Sequence, residues 1–149
     1  MLTKVISVKK KSGFRDIFRS RRKQEQAQAR SILIGLNSED GSAVQAALAE
    51  LDKIKAVPLQ TMIITLGLIN RDAAVRSGLC AKIDQVKAPD NRALLANFAA
   101  FVEVIAKEDY QKLDKVEEPL KDFKLFPFLA NQTVSVFQGY GFLMPLALA

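Results

Sequence analysis

The side chains whose type and spacing could do chemistry here come down to one thiol, Cys80, and two adjacent carboxylate pairs, Glu108–Asp109 and Glu117–Glu118. No histidine occurs, which removes the commonest general base and the commonest transition-metal ligand. A Ser-His-Asp or Cys-His site cannot be built from such a chain, and one cysteine without histidine does not make a zinc centre. Neighbouring carboxylates on a helix point about 100° apart, so neither pair faces one substrate and both are expected to be surface charge. No GxxxxGK[ST] or GxGxxG run occurs, and Gly139-Tyr140-Gly141 is too short to cradle phosphate. Asp40-Gly41-Ser42 lacks the ligand spacing of a calcium loop. Cys80 is expected to be a small buried thiol with nothing to activate it. The chain is therefore expected not to be an enzyme, and to use no metal or cofactor.

Binding chemistry gathers instead at the two ends. Residues 1–30 hold ten Lys or Arg against Asp16 and Glu25, a net of +8, whereas the rest of the chain holds twelve basic and fourteen acidic residues. Lys9, Lys10, Lys11, Arg15, Arg19, Arg21, Arg22 and Lys23 are the candidate polyanion-binding residues. Each phosphate they neutralise would release counterions, giving affinity without base readout. Among them Phe14, Ile17 and Phe18 fall at helical spacing and form an apolar face about one turn long. The expected partner is RNA or DNA without sequence specificity; the alternatives are an anionic membrane surface or an acidic face of another protein, a second copy included. No small-molecule substrate is expected.

At the other end, the 25 residues from Leu125 to Ala149 carry no charge. Pro127, Asn131, Gln132, Gly139, Gly141 and Pro145 interrupt them, which excludes a spanning helix because freed backbone groups would go unpaired in lipid. Thr133–Phe137 alternates and predicts a strand, Gln138-Gly139-Tyr140-Gly141 a turn, and Phe142–Ala149 an edge strand returning past Pro145. Left exposed, such an end would be an aggregation hazard, so its own domain or a neighbour must cover it. Phe126, Phe128, Val134, Val136, Phe137, Tyr140, Phe142 and Leu143 are the candidate partner-docking residues.

The elements that hold these ends are mostly helices. Met1–Val8 alternates like a short strand, and from Ser12 or Gly13 the spacing becomes helical as far as about Leu36. A loop follows, with Ser42 as the expected N-cap of the next helix. Residues 43–58 (AVQAALAELDKIKAVP) and 74–89 (AVRSGLCAKIDQVKAP) echo each other at an offset of 31, each ending at a proline that starts a second apolar stretch. Each unit therefore reads as helix, sharp turn, helix. Asp90 is the expected cap of a helix whose Leu94, Leu95, Phe98, Phe101, Val102 and Ile105 form a core stripe. Lys107–Lys115 reads as a solvated helix face, ended or restarted at Pro119.

Asn70-Arg71-Asp72-Ala73-Ala74-Val75-Arg76 resembles the start of the second helix of HEAT-type repeats, where an Asp precedes a Val-Arg pair. The resemblance implies stacked helical hairpins. With two units visible, the preferred fold is a mainly α, compact antiparallel helical bundle, HEAT-like hairpins being the variant, with a short N-terminal strand and a C-terminal β-hairpin or extended tail. The expected division is a basic arm (1–30), a helical domain (31–124) and an apolar tail (125–149). The arm shares its Arg, Ser and scarcity of acids with mitochondrial transit peptides, but no secretory signal is recognisable. A cytoplasmic place, or one inside a viral or other macromolecular assembly, is expected. The functional expectation is a structural subunit of a larger complex, with a peripheral membrane adaptor or monomeric protein-binding module as the alternative.

Overall fold

The structure, a computed structural model, describes residues 23–138. Over that span the chain is mainly helical: α1 (23–36), α2 (Gly41–Leu51), α3 (Val57–Leu68), α4 (Ala73–Ile83), α5 (Pro89–Ala106), α6 (Leu113–Glu117) and α7 (Phe126–Phe137). Single 3₁₀ turns, Tyr110–Lys112 and Glu118–Leu120, flank α6.

Local chemistry explains where these helices begin. The Asp40 carboxylate accepts from the Ser42 backbone N–H at 3.0 Å, and Asp72 accepts from Ala74 N–H at 2.9 Å, so α2 and α4 each start on an aspartate cap. Helices α3 and α5 start after extended alanines, Ala56 and Ala88, with a proline in the first turn where no N–H is needed. In both turns a later side chain donates to the carbonyl of a buried aliphatic residue: Gln60 to Ile54 O at 2.6 Å, and Arg92 to Val86 O at 2.7 Å. The caps, the aliphatics, the alanines and these donors all recur 32 residues apart. Pro58 is the second residue of α3 whereas Pro89 is the first of α5, so the prolines are 31 residues apart where the caps are 32 apart.

Packing follows from the repeat. Helix α2 meets α4, and α3 meets both α4 and α5, so the α2–α3 and α4–α5 hairpins stack side by side. Gly35 of α1 lets that helix approach α2 closely; a Cβ there would lie 2.8 Å from Ala47 Cβ and 3.3 Å from Ala43 O. Ile32, Leu33, Ile63, Ile64, Leu79, Leu95 and Phe98 are almost wholly buried in the shared core, each contributing about 1.5–3 kcal/mol. Helix α7 closes one side against α5, with the Phe126 ring edge-on to Phe101 at 4.9 Å. The single core takes in Ala29 of α1 and Leu129 and Val136 of α7.

Several expectations need correction. Thr133–Phe137 is the second half of helix α7, not a strand. Leu129, Thr133 and Val136, at i, i+4 and i+7, form its buried face, and the Thr133 hydroxyl donates to Leu129 O at 2.7 Å within the helix. The cap of α2 is Asp40, not Ser42, whose hydroxyl donates to Asp40 at 2.9 Å; that of α5 is Ala88, with Asp90 inside the first turn. Lys107–Lys115 is not one helix, because the chain turns at Glu108, φ 56°, before the 3₁₀ turn and α6. Cys80 is exposed, not buried. The strand expected at Met1–Val8, the start of the first helix, and the return strand Phe142–Ala149 lie outside the described residues, as does nearly all of the turn 138–141.

Candidate functional site

Of the groups first considered for chemistry, Asp109 and Glu118 are engaged in ion pairs with neighbouring lysines. Glu108 is exposed, and Asp109 binds Lys112 at 3.1 Å and Gln111 at 3.0 Å. Those two contacts, Lys112 first, hold the Asp109 carboxyl below the usual aspartate range. Glu118 pairs with Lys121, whose ammonium is held above its ordinary range by that bond. Desolvation pushes the Cys80 thiol up, the Glu103 charge pushes it further, and Arg76 opposes both, so at neutral pH it is a weak nucleophile. Among the described residues no group of three or more metal-binding side chains comes together, and no helix is long and apolar enough to cross a membrane.

Of the candidate polyanion-binding residues, only Lys23 falls within the described span, as its first residue; Lys9, Lys10, Lys11, Arg15, Arg19, Arg21 and Arg22 lie outside it. Lys23 and the four residues after it are all exposed, and Ala29 is the first buried position. More than a turn of α1 therefore stands clear of the body, between the core and the basic segment.

The partner-docking candidates divide sharply. Val136 is core, Phe126 and Val134 are half-buried against it, and Phe137 lies under the Arg76 guanidinium, 5.4 Å from the ring centroid. Arg71 Nε donates to Val136 O at 2.8 Å, so two arginines hold the end of α7. Phe128 alone among the described candidates is exposed, at 45%. Tyr140, Phe142 and Leu143 lie outside the described residues.

Phe128 stands on the rim of an apolar groove of about 380 Å³ between α3, α5 and α7. Its walls are Met62 and Leu66 of α3, Leu94 of α5, and Phe123 and Leu125 beside α7; Leu125 is 59% exposed. The hydroxyls in the wall are satisfied internally: Thr61 donates to Val57 O at 2.8 Å and accepts from Asn91 at 2.9 Å, and Thr65 donates to Thr61 O at 2.7 Å. The groove therefore offers apolar surface with no hydrogen-bonding demand, suited to aliphatic or aromatic side chains of a polypeptide. Sequence reasoning did not single out Met62 and Leu66 and assigned Leu94, which is only partly buried, to the core stripe. The signal was present, since α3 carries no charge on any face and one buried stripe does not use all of its apolar residues.

A second cleft, at the adjoining ends of α1, α3 and α7, is polar but structural. Asn70 Nδ2 donates to Leu36 O at 3.0 Å, and Asn70 Oδ1 accepts from Asp72 N–H at 2.9 Å. Comparison of the chain with protein-family models, curated proteins and solved structures found no match.

Proposed function

We propose that this chain is a non-enzymatic assembly subunit of a larger complex, such as a viral shell, a ribonucleoprotein or a secretion-type assembly. The observation that carries the reading is the apolar groove, with Leu125 and Phe128 exposed on its rim, in a chain that continues past α7 for twelve uncharged residues. An acceptor surface and an apolar segment on one polypeptide are what self-assembly through tail docking requires. The exposure of residues 23–27 of α1, next to the basic segment in sequence, supports a role for that segment as a polyanion contact. The finer architecture we infer is an array of HEAT-like hairpins, which the 32-residue recurrence of caps and turn contacts favours.

Sedimentation of the full chain beside one ending at Gln138 tests assembly: the full chain should associate with rising concentration and the shortened one should not. Two monodisperse monomers at every concentration would remove the reading. For the arm, replacing Arg19, Arg21, Arg22 and Lys23 with Ser should flatten the salt dependence of binding to single-stranded RNA. An unchanged slope takes those four off the contact surface.

A further inference from the structure

The groove and the end of α7 are close enough for one chain to serve both. Helix α7 is fastened at its last turn by Arg71 and Arg76, beside the C-terminal end of α3. The groove's α3 wall runs from Leu66, two residues before that end, back to Pro58, near the start of the helix, and its α7 wall is the first turn, Phe128 and Leu129. Twelve residues of α3 measure about 18 Å at helical rise. Beyond Gln138 the sequence continues with GYGFLMPLALA, eleven residues that reach up to about 36 Å when extended. A reversal would fall at Gly139-Tyr140-Gly141, where two glycines accept the backbone angles a tight turn demands.

We propose that in the free monomer the segment Phe142–Leu148 folds back into the groove of its own chain. This rests on the assembly reading and gives the tail its resting place: a neighbour's groove must then compete with the chain's own. The chemistries match. Phe142, Leu143, Met144, Leu146 and Leu148 meet walls of Met62, Leu66, Leu94 and Phe123, with no charge on either side. Pro145 removes one backbone donor from the segment. Entropy favours the chain's own tail over a second copy's. A short connection sets an effective concentration of about 1 mM, so even an intrinsic Kd of about 0.1 mM would keep the tail docked roughly nine-tenths of the time. Exchange with a neighbour then becomes competitive only where copies are crowded, as domain swapping requires.

The chain has no tryptophan, so Phe128→Trp places a single reporter on the groove rim. In full-length protein, diluted until sedimentation shows monomer only, the reporter should emit to the blue and resist iodide quenching. Adding Phe142→Ser, Leu143→Ser and Leu146→Ser should shift it to the red and expose it to quencher, with helical circular dichroism unchanged. Met62→Glu in the groove wall should give the same shift, and combining it with the tail changes should add nothing further. Identical emission with and without the tail changes in the dilute monomer overturns the proposal, as does a difference that emerges only as concentration rises, because the occupant would then be a second copy's tail. Tail-dependent association with identical dilute emission leaves the assembly reading standing and removes the fold-back alone. A tail-dependent emission shift in a chain that never associates does the reverse.

Discussion

Glu108 occupies the left-handed region at φ 56°, just past the end of α5. Asp109 N–H bonds back to Val104 O at 3.0 Å and Glu108 N–H to Ile105 O at 3.2 Å, the paired bonds of a helix end that normally uses glycine. The side chain makes this turn against a backbone cost of about 1 kcal/mol. Glu108→Gly should therefore raise the thermal midpoint, and a lowered midpoint in a melting experiment would show that the side chain supplies more than the strain removes. Arg76 carries a larger share of stability. It is 6% exposed, donates to Glu103 at 2.7 Å and to the Asn70 and Arg71 carbonyls at 2.8 and 2.9 Å, and covers Phe137. Replacing it with methionine keeps the bulk but orphans the buried Asn70 carbonyl, at a cost of about 2–3 kcal/mol. Glu103 is 36% exposed, so Glu103→Ala should cost less, within about 1 kcal/mol. Denaturant midpoints of the two variants test that order; equal losses would mean the ion pair, rather than the carbonyl contacts, carries the effect.

Helix α2 begins on Asp40, whose carboxyl is held low by the Ser42 hydroxyl first, then by the Ser42 and Ala43 N–H groups, against a small desolvation. A depressed folded-state pKa stabilises above the unfolded value and loses that contribution as pH falls through the folded one. The difference in melting temperature between the parent and Asp40→Ala should accordingly be constant near neutrality and shrink below about pH 3.9. A difference that grows in acid would reverse this assignment. The α1–α2 approach makes a sterically defined prediction. Gly35→Ala drives a Cβ into Ala47 and the Ala43 carbonyl, neither of them a flexible side-chain end, and should cost about 1–3 kcal/mol. Gly41→Ala meets nothing within 4 Å and should be neutral or stabilising by about 0.4–1 kcal/mol. The helices of the two hairpins were legible in the sequence because their apolar spacing, prolines and aspartates agree with one another. Residues 133–137 were not, because Thr133, Val134, Val136 and Phe137 satisfy an alternating pattern and a helical one alike, and only packing against α5 and the core chose between them. The groove was hidden for a related reason: Met62 and Leu94 look like core residues until three helices are placed and one apolar face is left over.

At the scale of the molecule, the sequence gathers positive charge at one end and uncharged residues at the other, but the boundary of the body does not fall where the charges stop. Lys124 is the last charged residue, yet Leu129, Thr133 and Val136 beyond it are buried. Burying the two aliphatic side chains alone stabilises by about 1.5–3 kcal/mol each, a large part of the about 5–15 kcal/mol that holds a domain of this size. Removing α7 also uncovers Phe101, which Phe126 meets edge-on, and leaves Arg71 and Arg76 without the Val136 carbonyl and the Phe137 ring. A chain ending at Lys124 should therefore lose cooperative unfolding, bind hydrophobic dye and aggregate, whereas one ending at Gln138 should keep a single sharp transition with a denaturant slope expected for the complete core. The comparison separates the two duties proposed for the uncharged end, since α7 packs into the core whereas the docking role is assigned to the segment after it. Equal cooperativity in both shortened chains would mean that α1 to α6 form a sufficient core, and α7 would then join the tail as an exchangeable docking element.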